Sequence, residues 1–434
     1  MNKILNTYFY IALILILAMS SSAYAGTTYS LKKLSELAVM QSENIKIANE
    51  DVYIANQEKK RALSVLIPKL AAYGDITRYK NDEISSPDTN TFGIKLTQSF
   101  TLNGKELIAL DVTKKDIESK KFSLQSIRAN YILQVAQAYY NILSARRFVE
   151  IANADVERLT IHRNAVKEKL NVGNVTKTDL YRAEAELSKS LTEKVKAENL
   201  LLKARALLQN LVQVEPDFSL EKKNIPGIEG YDTYLDEIKT YALAHRPEIR
   251  QAVKNLEIAR QTVRFNKSDY WPRVSLEAGY KETDVDYDAG PSHVQYDTED
   301  LYVKGDLVFT LFDGGLRSAQ IRQAVAGQRK AMNALALEKK KIILESETAF
   351  LEYKTAKNTL DNLKHEVKSA MENFNAVKMQ FRYGMADSID MMDANTLLVT
   401  SQRRISDARY TFYLSVLKIL YTRGDLLSFL LGHA

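Results

Sequence analysis

Two stretches of this chain contain almost nothing that can end a helix. Of the seven prolines (Pro68, Pro87, Pro216, Pro226, Pro247, Pro272 and Pro291), none lies between 92 and 215 and none follows 291. Glycine is absent from Lys105 to Val172, and only Gly327 interrupts Leu316 to Tyr383. Both stretches are rich in Ala, Leu, Lys, Glu and Gln, residues that lose little on entering a helix. A helix of ~67 residues is about 100 Å long, far beyond the span of an ordinary globular domain.

Apolar residues recur along both stretches in alternating steps of four and three. The first seam runs from Tyr131 through Val135, Ala138, Ile142 and Ala145 to Val166 and Leu170, broken at Arg163. The second runs from Ile342 through Ala349, Tyr353 and Ala356 to Val377 and Phe381, broken at Ser346. A 3.5-residue repeat held this long means coiled-coil packing. The seams share one register, Tyr131 matching Ile342 and Leu170 matching Phe381. Other landmarks pair at similar offsets: SENIKIA at 42–48 with RPEIRQA at 246–252, Pro68 with Pro272, Asn103-Gly104 with Asp313-Gly314, and Gly173 with Gly384. The chain is therefore a tandem duplication.

Each half reads helix, two strands, very long helix, tight turn, helix. The first repeat, 26–211, is expected to hold helices 30–67, 104–170 and 176–211 and strands 69–82 and 91–102. The second, 244–434, is expected to hold helices 244–270, 315–381 and 387–424 and strands 273–286 and 301–312. Segment 212–243 joins them. A polar loop with Pro87 separates the first strand pair. A longer acidic loop, with Asp288, Gly290, Pro291, Asp297, Glu299 and Asp300, separates the second.

The strands carry the strongest environmental signal. Phe92, Ile94 and Leu96 alternate with Lys95 and Thr97, and Leu301, Val303 and Leu307 alternate with Lys304 and Asp306. Such strands are long enough to cross a bilayer when tilted, and Tyr270, Trp271, Tyr280, Tyr296 and Tyr302 lie near their ends, where an aromatic girdle belongs. Four strands cannot close a barrel, and lipid does not tolerate an open edge. Several copies must share one barrel, and three copies supply twelve strands.

An apolar run from Tyr8 to Met19 followed by Ala23-Tyr24-Ala25 reads as a signal peptide over 1–25, too short to span a membrane. Cysteine is absent, which rules out disulfides and lipid attachment at a cysteine. Sixty basic residues against 54 acidic ones give no reason to expect nucleic acid. The five histidines are scattered without ligand spacing, and no phosphate-binding or nucleophile motif occurs. No enzyme, cofactor or metal site is expected. An isolated coiled-coil structural protein would have no use for duplicated amphipathic strand pairs. A periplasmic adaptor would need a lipoyl-like β-module and usually a single hairpin.

At the ends of the long helices, Gly173 and Gly384 offer the positive φ that closes a helix. Thr176 with Asp179, and Asp387 with Asp390, have N-cap and N3 spacing, so simple helix capping accounts for these carboxylates. Asp393 lies one turn beyond Asp390 and has Arg182 as its counterpart.

Over essentially the whole mature chain, the duplicated halves, the prolines and glycines at their junctions and the paired glycine turns resemble the TolC-like outer-membrane efflux proteins. The resemblance implies a homotrimer, mainly α with a transmembrane β part: a 12-stranded β-barrel continued by a long α-helical barrel. It also implies a passive exit duct in the cell outer membrane, surrounded by outer-membrane lipid. The duct's long periplasmic extension meets a periplasmic adaptor (membrane fusion protein) and an inner-membrane transporter. An outer-membrane component of a type I protein secretion system is the alternative within the class. The resemblance places Asp390 and Asp393 around the narrowest point of the pore, where threefold symmetry gathers six carboxylates, and adds Thr178 and Asp179 to the gate. Ala386 stands where relatives carry a basic gate residue, and Phe381 replaces a hydroxyl-bearing aromatic residue. Arg382 or Lys177 is the substitute at hand. Val172, Gly173, Tyr383 and Gly384 are the expected adaptor-docking turns.

Overall fold

The computed structural model describes residues 27–79, 86–222, 227–228, 230–289 and 292–432. The expected signal peptide, Pro226, Gly290 and Pro291 lie outside the described residues.

The two long helices form as single elements, α3 (Lys105–Asn171) and α7 (Leu316–Arg382), 67 residues each. Each turns back into a helix of 36 residues, α4 (Lys177–Val212) and α8 (Ser388–Arg423). The seam residues are the buried ones: Val135, Ala138, Ile142, Ala145 and Val166 on α3, and Ile342, Ala349, Tyr353, Ala356 and Phe381 on α7. Ser346 remains in the seam, fully buried, because its hydroxyl donates back to the Ile342 carbonyl at 2.7 Å. No helix among the described residues is long and apolar enough to cross a membrane.

The helix expected over 30–67 is instead two, α1 (Leu31–Gln41) and α2 (Glu43–Ser64). Ser42 between them is extended and caps α2, its hydroxyl accepting from the Ile45 N–H. The second half repeats the break. Helix α5 (Leu235–His245) is followed by α6 (Pro247–Lys267). Arg246 is extended because the residue before a proline is pushed out of the helical region. Helix α5 thus occupies part of the segment expected to be a connector. Strands β1 (Thr27–Tyr29) and β4 (Phe218–Leu220) pair in parallel nearby.

The remaining strands, β2 (Lys69–Thr77), β3 (Asp88–Thr101), β5 (Arg273–Ala289) and β6 (Ser292–Val308), form one antiparallel sheet in the order β2-β3-β5-β6. Central strands β3 and β5 come from different halves. The register sets Leu70 beside Leu96, Ile94 beside Tyr280 and Tyr280 beside Leu301. Leu70, Phe92, Ile94, Leu301 and Val303 on this face are all exposed, Leu301 at 86%. The other face is polar, with Ser99 and Ser275 hydroxyls 2.8 Å apart and Tyr302 donating to Glu277 at 2.9 Å. Edge strands β2 and β6 have no further neighbour in the sheet.

The acidic loop of the second hairpin is mostly strand. Asp297, Glu299 and Asp300 belong to β6, opposite Asp284, Glu282 and Lys281. Antiparallel ladders satisfy backbone groups whatever the side chains, and polar residues on both faces leave no alternation to read. At the far end β6 stops at Val308, short of the expected 312. Strand β2 likewise stops at Thr77, short of 82.

Candidate functional site at the helical tip

Helices α3, α4, α7 and α8 converge on a small apolar core far along the chain from the sheet. Val166, Ala183, Phe374, Phe381, Met391, Ala394 and Leu398 build it, so all four helices contribute. Two matching turns cap this end. Gly173 and Gly384 both have φ +78°, a conformation an L side chain reaches only with strain. The Asn174 N–H bonds the Lys169 carbonyl at 2.9 Å and the Met385 N–H bonds the Gln380 carbonyl at 2.8 Å, closing the helix ends in the same way.

Both capping boxes form. The Thr176 N–H and hydroxyl each donate to Asp179 Oδ2 at 2.8 Å, and the Asp179 N–H donates to Thr176 Oγ1. The hydrogen bond from the Thr176 backbone, then that from its hydroxyl, holds the Asp179 carboxyl below the ordinary carboxylate range. Asp387 Oδ1 accepts from the Ile389 and Asp390 N–H groups at 2.8 Å, and Asp390 Oδ2 accepts from the Asp387 N–H at 3.0 Å. The capping explanation therefore holds for Asp179 and Asp390. Asp393 takes part in neither box; it is exposed on α8, as are Thr178, Lys177 and Arg382 on their elements. The turns expected to dock an adaptor are exposed too: Val172 at 70%, Tyr383 at 69% and the neighbouring Met385 at 72%.

Phe381 sits where the seam puts it. Its side chain is buried in the tip core, 5.0 Å from the His162 ring and 4.0 Å below Lys169 Nζ. A phenyl ring has no polar group to keep at a pore wall, and the seam takes it inward. Within the protomer it is part of the tip's packing.

Sequence reasoning missed His162. The α3 seam was expected to break at Arg163; it passes through His162 instead, only 4% exposed. His162 Nε2 lies 3.0 Å from Ser388 Oγ on the first turn of α8. Lys169 Nζ donates to the Phe381 carbonyl at 2.6 Å. Further along, Arg158 Nε donates to Asn395 Oδ1 at 2.8 Å, and Asn395 Nδ2 donates to Asp155 at 2.7 Å. The available signal was the alternative route Leu159 to His162 to Val166, whose steps of three and four still span seven residues although the strict alternation is lost. Among the described residues, no group of three or more His, Asp or Glu side chains is gathered as a metal site.

The profile of the family described as "Outer membrane efflux protein" matches the chain over residues 34–212 and 240–419, one match to each repeat. The chain is 23% identical to outer membrane protein TolC of Escherichia coli K12 across 94% of itself and 85% of TolC. Its fold is similar to the Campylobacter jejuni CmeC outer membrane channel, with TM-score 0.80 at 18% identity, covering 91% of this chain and 86% of that one. The outer membrane protein VceC of Vibrio cholerae gives TM-score 0.79 at 17% identity, covering 91% and 96%. With both repeats matched and the whole hairpin architecture shared, the chain belongs to the outer membrane efflux protein family, passive outer-membrane exit ducts with a periplasmic α-helical extension.

Proposed function

We propose that three copies of this chain form one exit duct, embedded in outer-membrane lipid by its sheet and narrowed at its periplasmic tip by Asp390 and Asp393. The sheet carries this reading. Its exposed face is apolar from Leu70 across Ile94 and Tyr280 to Leu301, while its polar face is hydrogen-bonded. A soluble protein would bury the apolar face. Strands β2 and β6 need partners that lipid does not provide, and a neighbouring copy offers the complementary edge. Helices α3 and α7 would then extend the barrel by about 100 Å.

The exposed turns at Val172, Gly173, Tyr383 and Gly384 are the docking surface for a periplasmic adaptor working with an inner-membrane transporter. Their support is the concentration of exposed apolar side chains at a helical tip, where water gives no reason to keep them. Nothing in the wall favours protein secretion over small-molecule efflux.

Negative-stain images and native mass of the detergent-extracted protein test the assembly. A tapered threefold particle well over 100 Å long supports it. A monomer, or a rod without a barrel, overturns it.

A further inference from the structure

The two hairpins of one protomer, α3/α4 and α7/α8, are held together at the tip by few polar contacts. Lys169 on α3 grips the Phe381 carbonyl at the end of α7, and His162 on α3 meets Ser388 at the start of α8. The first holds the end of α7, and the second holds the start of α8, the helix that carries Asp390 and Asp393.

We propose that the His162–Ser388 and Lys169–Phe381 contacts are the lock that holds this tip closed, and that acid releases it by protonating His162. This rests on the reading of the tip as the duct's closure. It assigns the lock to residues within one protomer.

The surroundings of His162 explain why a proton opens the lock. The ring is buried, with Nε2 on Ser388 and Nδ1 without a hydrogen-bond partner. A neutral imidazole tolerates that site; an imidazolium brings a second N–H with nothing to receive it. From α3, Arg158 and Lys169 face the same groove of about 520 Å³, and from α7, Lys378 and Arg382 do. From α8 comes the Ser388 hydroxyl, on the first turn of a helix whose N-terminal end repels positive charge. The nearby carboxylates are engaged: Asp387 and Asp390 with each other's backbone, Asp179 with Thr176, and Asp155 with Asn395. Burial, and then Lys169, push the His162 pKa below its ordinary value of 6.5.

The sign follows. A base whose pKa is depressed in the closed form stabilises that form fully above its ordinary pKa. As pH falls through about 6.5, the open form, with the ring in water, takes up the proton that the closed form refuses. If the closed form stays unprotonated, opening gains up to about thirty-fold per protomer at pH 5.

The test is conductance of the purified full-length protein in planar bilayers from pH 8 to pH 5. Wild type should open as pH falls, with a midpoint below 6.5. His162→Gln, which can still bond Ser388 but does not titrate, should stay closed and flat across the range. Ser388→Ala and Lys169→Met should each raise the pH 8 conductance several-fold, consistent with losing one charge-assisted or buried hydrogen bond. An unchanged acid response in His162→Gln, or wild-type conductance at pH 8 in both other variants, overturns the lock. The chain has no cysteine, so Asp393→Cys gives a single thiol at the tip. If a bulky thiol reagent there blocks current while His162→Gln still responds to acid, the lock alone is wrong. If it fails to block, the tip is not the closure, and the proposal falls with that reading.

Discussion

Asp390 and Asp393 stand one turn apart on α8, but only Asp390 is fixed: its Oδ2 receives the Asp387 N–H at 3.0 Å, while Asp393 reaches into solvent. In a threefold assembly the two acids would therefore make unlike rings. Asp390 carboxylates are aimed by their own helix caps. Asp393 carboxylates, exposed and outside the capping boxes, would be free to rotate toward a cation on the axis. In such an assembly one residue would shape the opening and the other would be its adjustable ligand.

Replacing both acids should accordingly weaken cation block of the pore. Asp390→Asn with Asp393→Asn removes six charges from the axis of a trimer, and divalent block in planar bilayers should shift to higher concentration. Asp393→Asn alone should produce most of that shift without loosening the turn. Asp390→Ala should also loosen α8's first turn, which protease sensitivity at the tip would report. Unchanged divalent block in the double variant would remove both acids from the constriction.

The tip core should matter more than the exposed arginine beside it. Phe381→Ala opens a cavity among Val166, Phe374, Met391 and Leu398, at a local cost of about 3–5 kcal/mol. It also strips Lys169 of the ring beneath it. We expect a leaky duct in bilayers and increased antibiotic or detergent sensitivity of cells carrying it. Arg382→Ala, exposed at the turn, should leave leak near wild type. Equal effects from the two would mean that Phe381 acts at the pore wall.

The outer face of the sheet should reject charge, and the inner face should accept it. Val303→Lys places an ammonium among exposed apolar residues, at about 2–4 kcal/mol if it lies near the bilayer midplane. Outer-membrane assembly, read as heat-modifiable trimer on gels, should fall. Lys304→Glu, on the polar face, should assemble normally. Normal assembly of Val303→Lys would mean that this face does not meet lipid.

Much of this architecture was legible because it depends on period and punctuation. The long helices follow from missing Pro and Gly, and the glycine turns from a register shared by Gly173 and Gly384. What stayed hidden depends on partners distant in sequence. His162 reads as one of five scattered histidines until Ser388, 226 residues away, is brought beside it. Asp297 and Glu299 read as loop because their strand is polar on both sides, and only pairing with Asp284 and Glu282 defines it. Phe381, by contrast, was legible as a buried residue because it ends the second seam.

The acid response of the tip should come from His162 and not from the capping carboxylates, and pH separates them. Asp179 has a carboxyl pKa lowered by its bonds from Thr176. A depressed acid contributes stability above its ordinary value of 3.8, and that contribution is lost only as pH falls through the still lower folded value. Between pH 8 and pH 5 its contribution is constant. Asp179→Asn should therefore loosen the first turn of α4 equally at every pH in that window. Protease cleavage at the Gly173 turn should rise, while the steepness of the conductance–pH curve stays that of wild type. A flattened curve in Asp179→Asn would make this capping carboxylate, and not the buried imidazole, the group that reads pH.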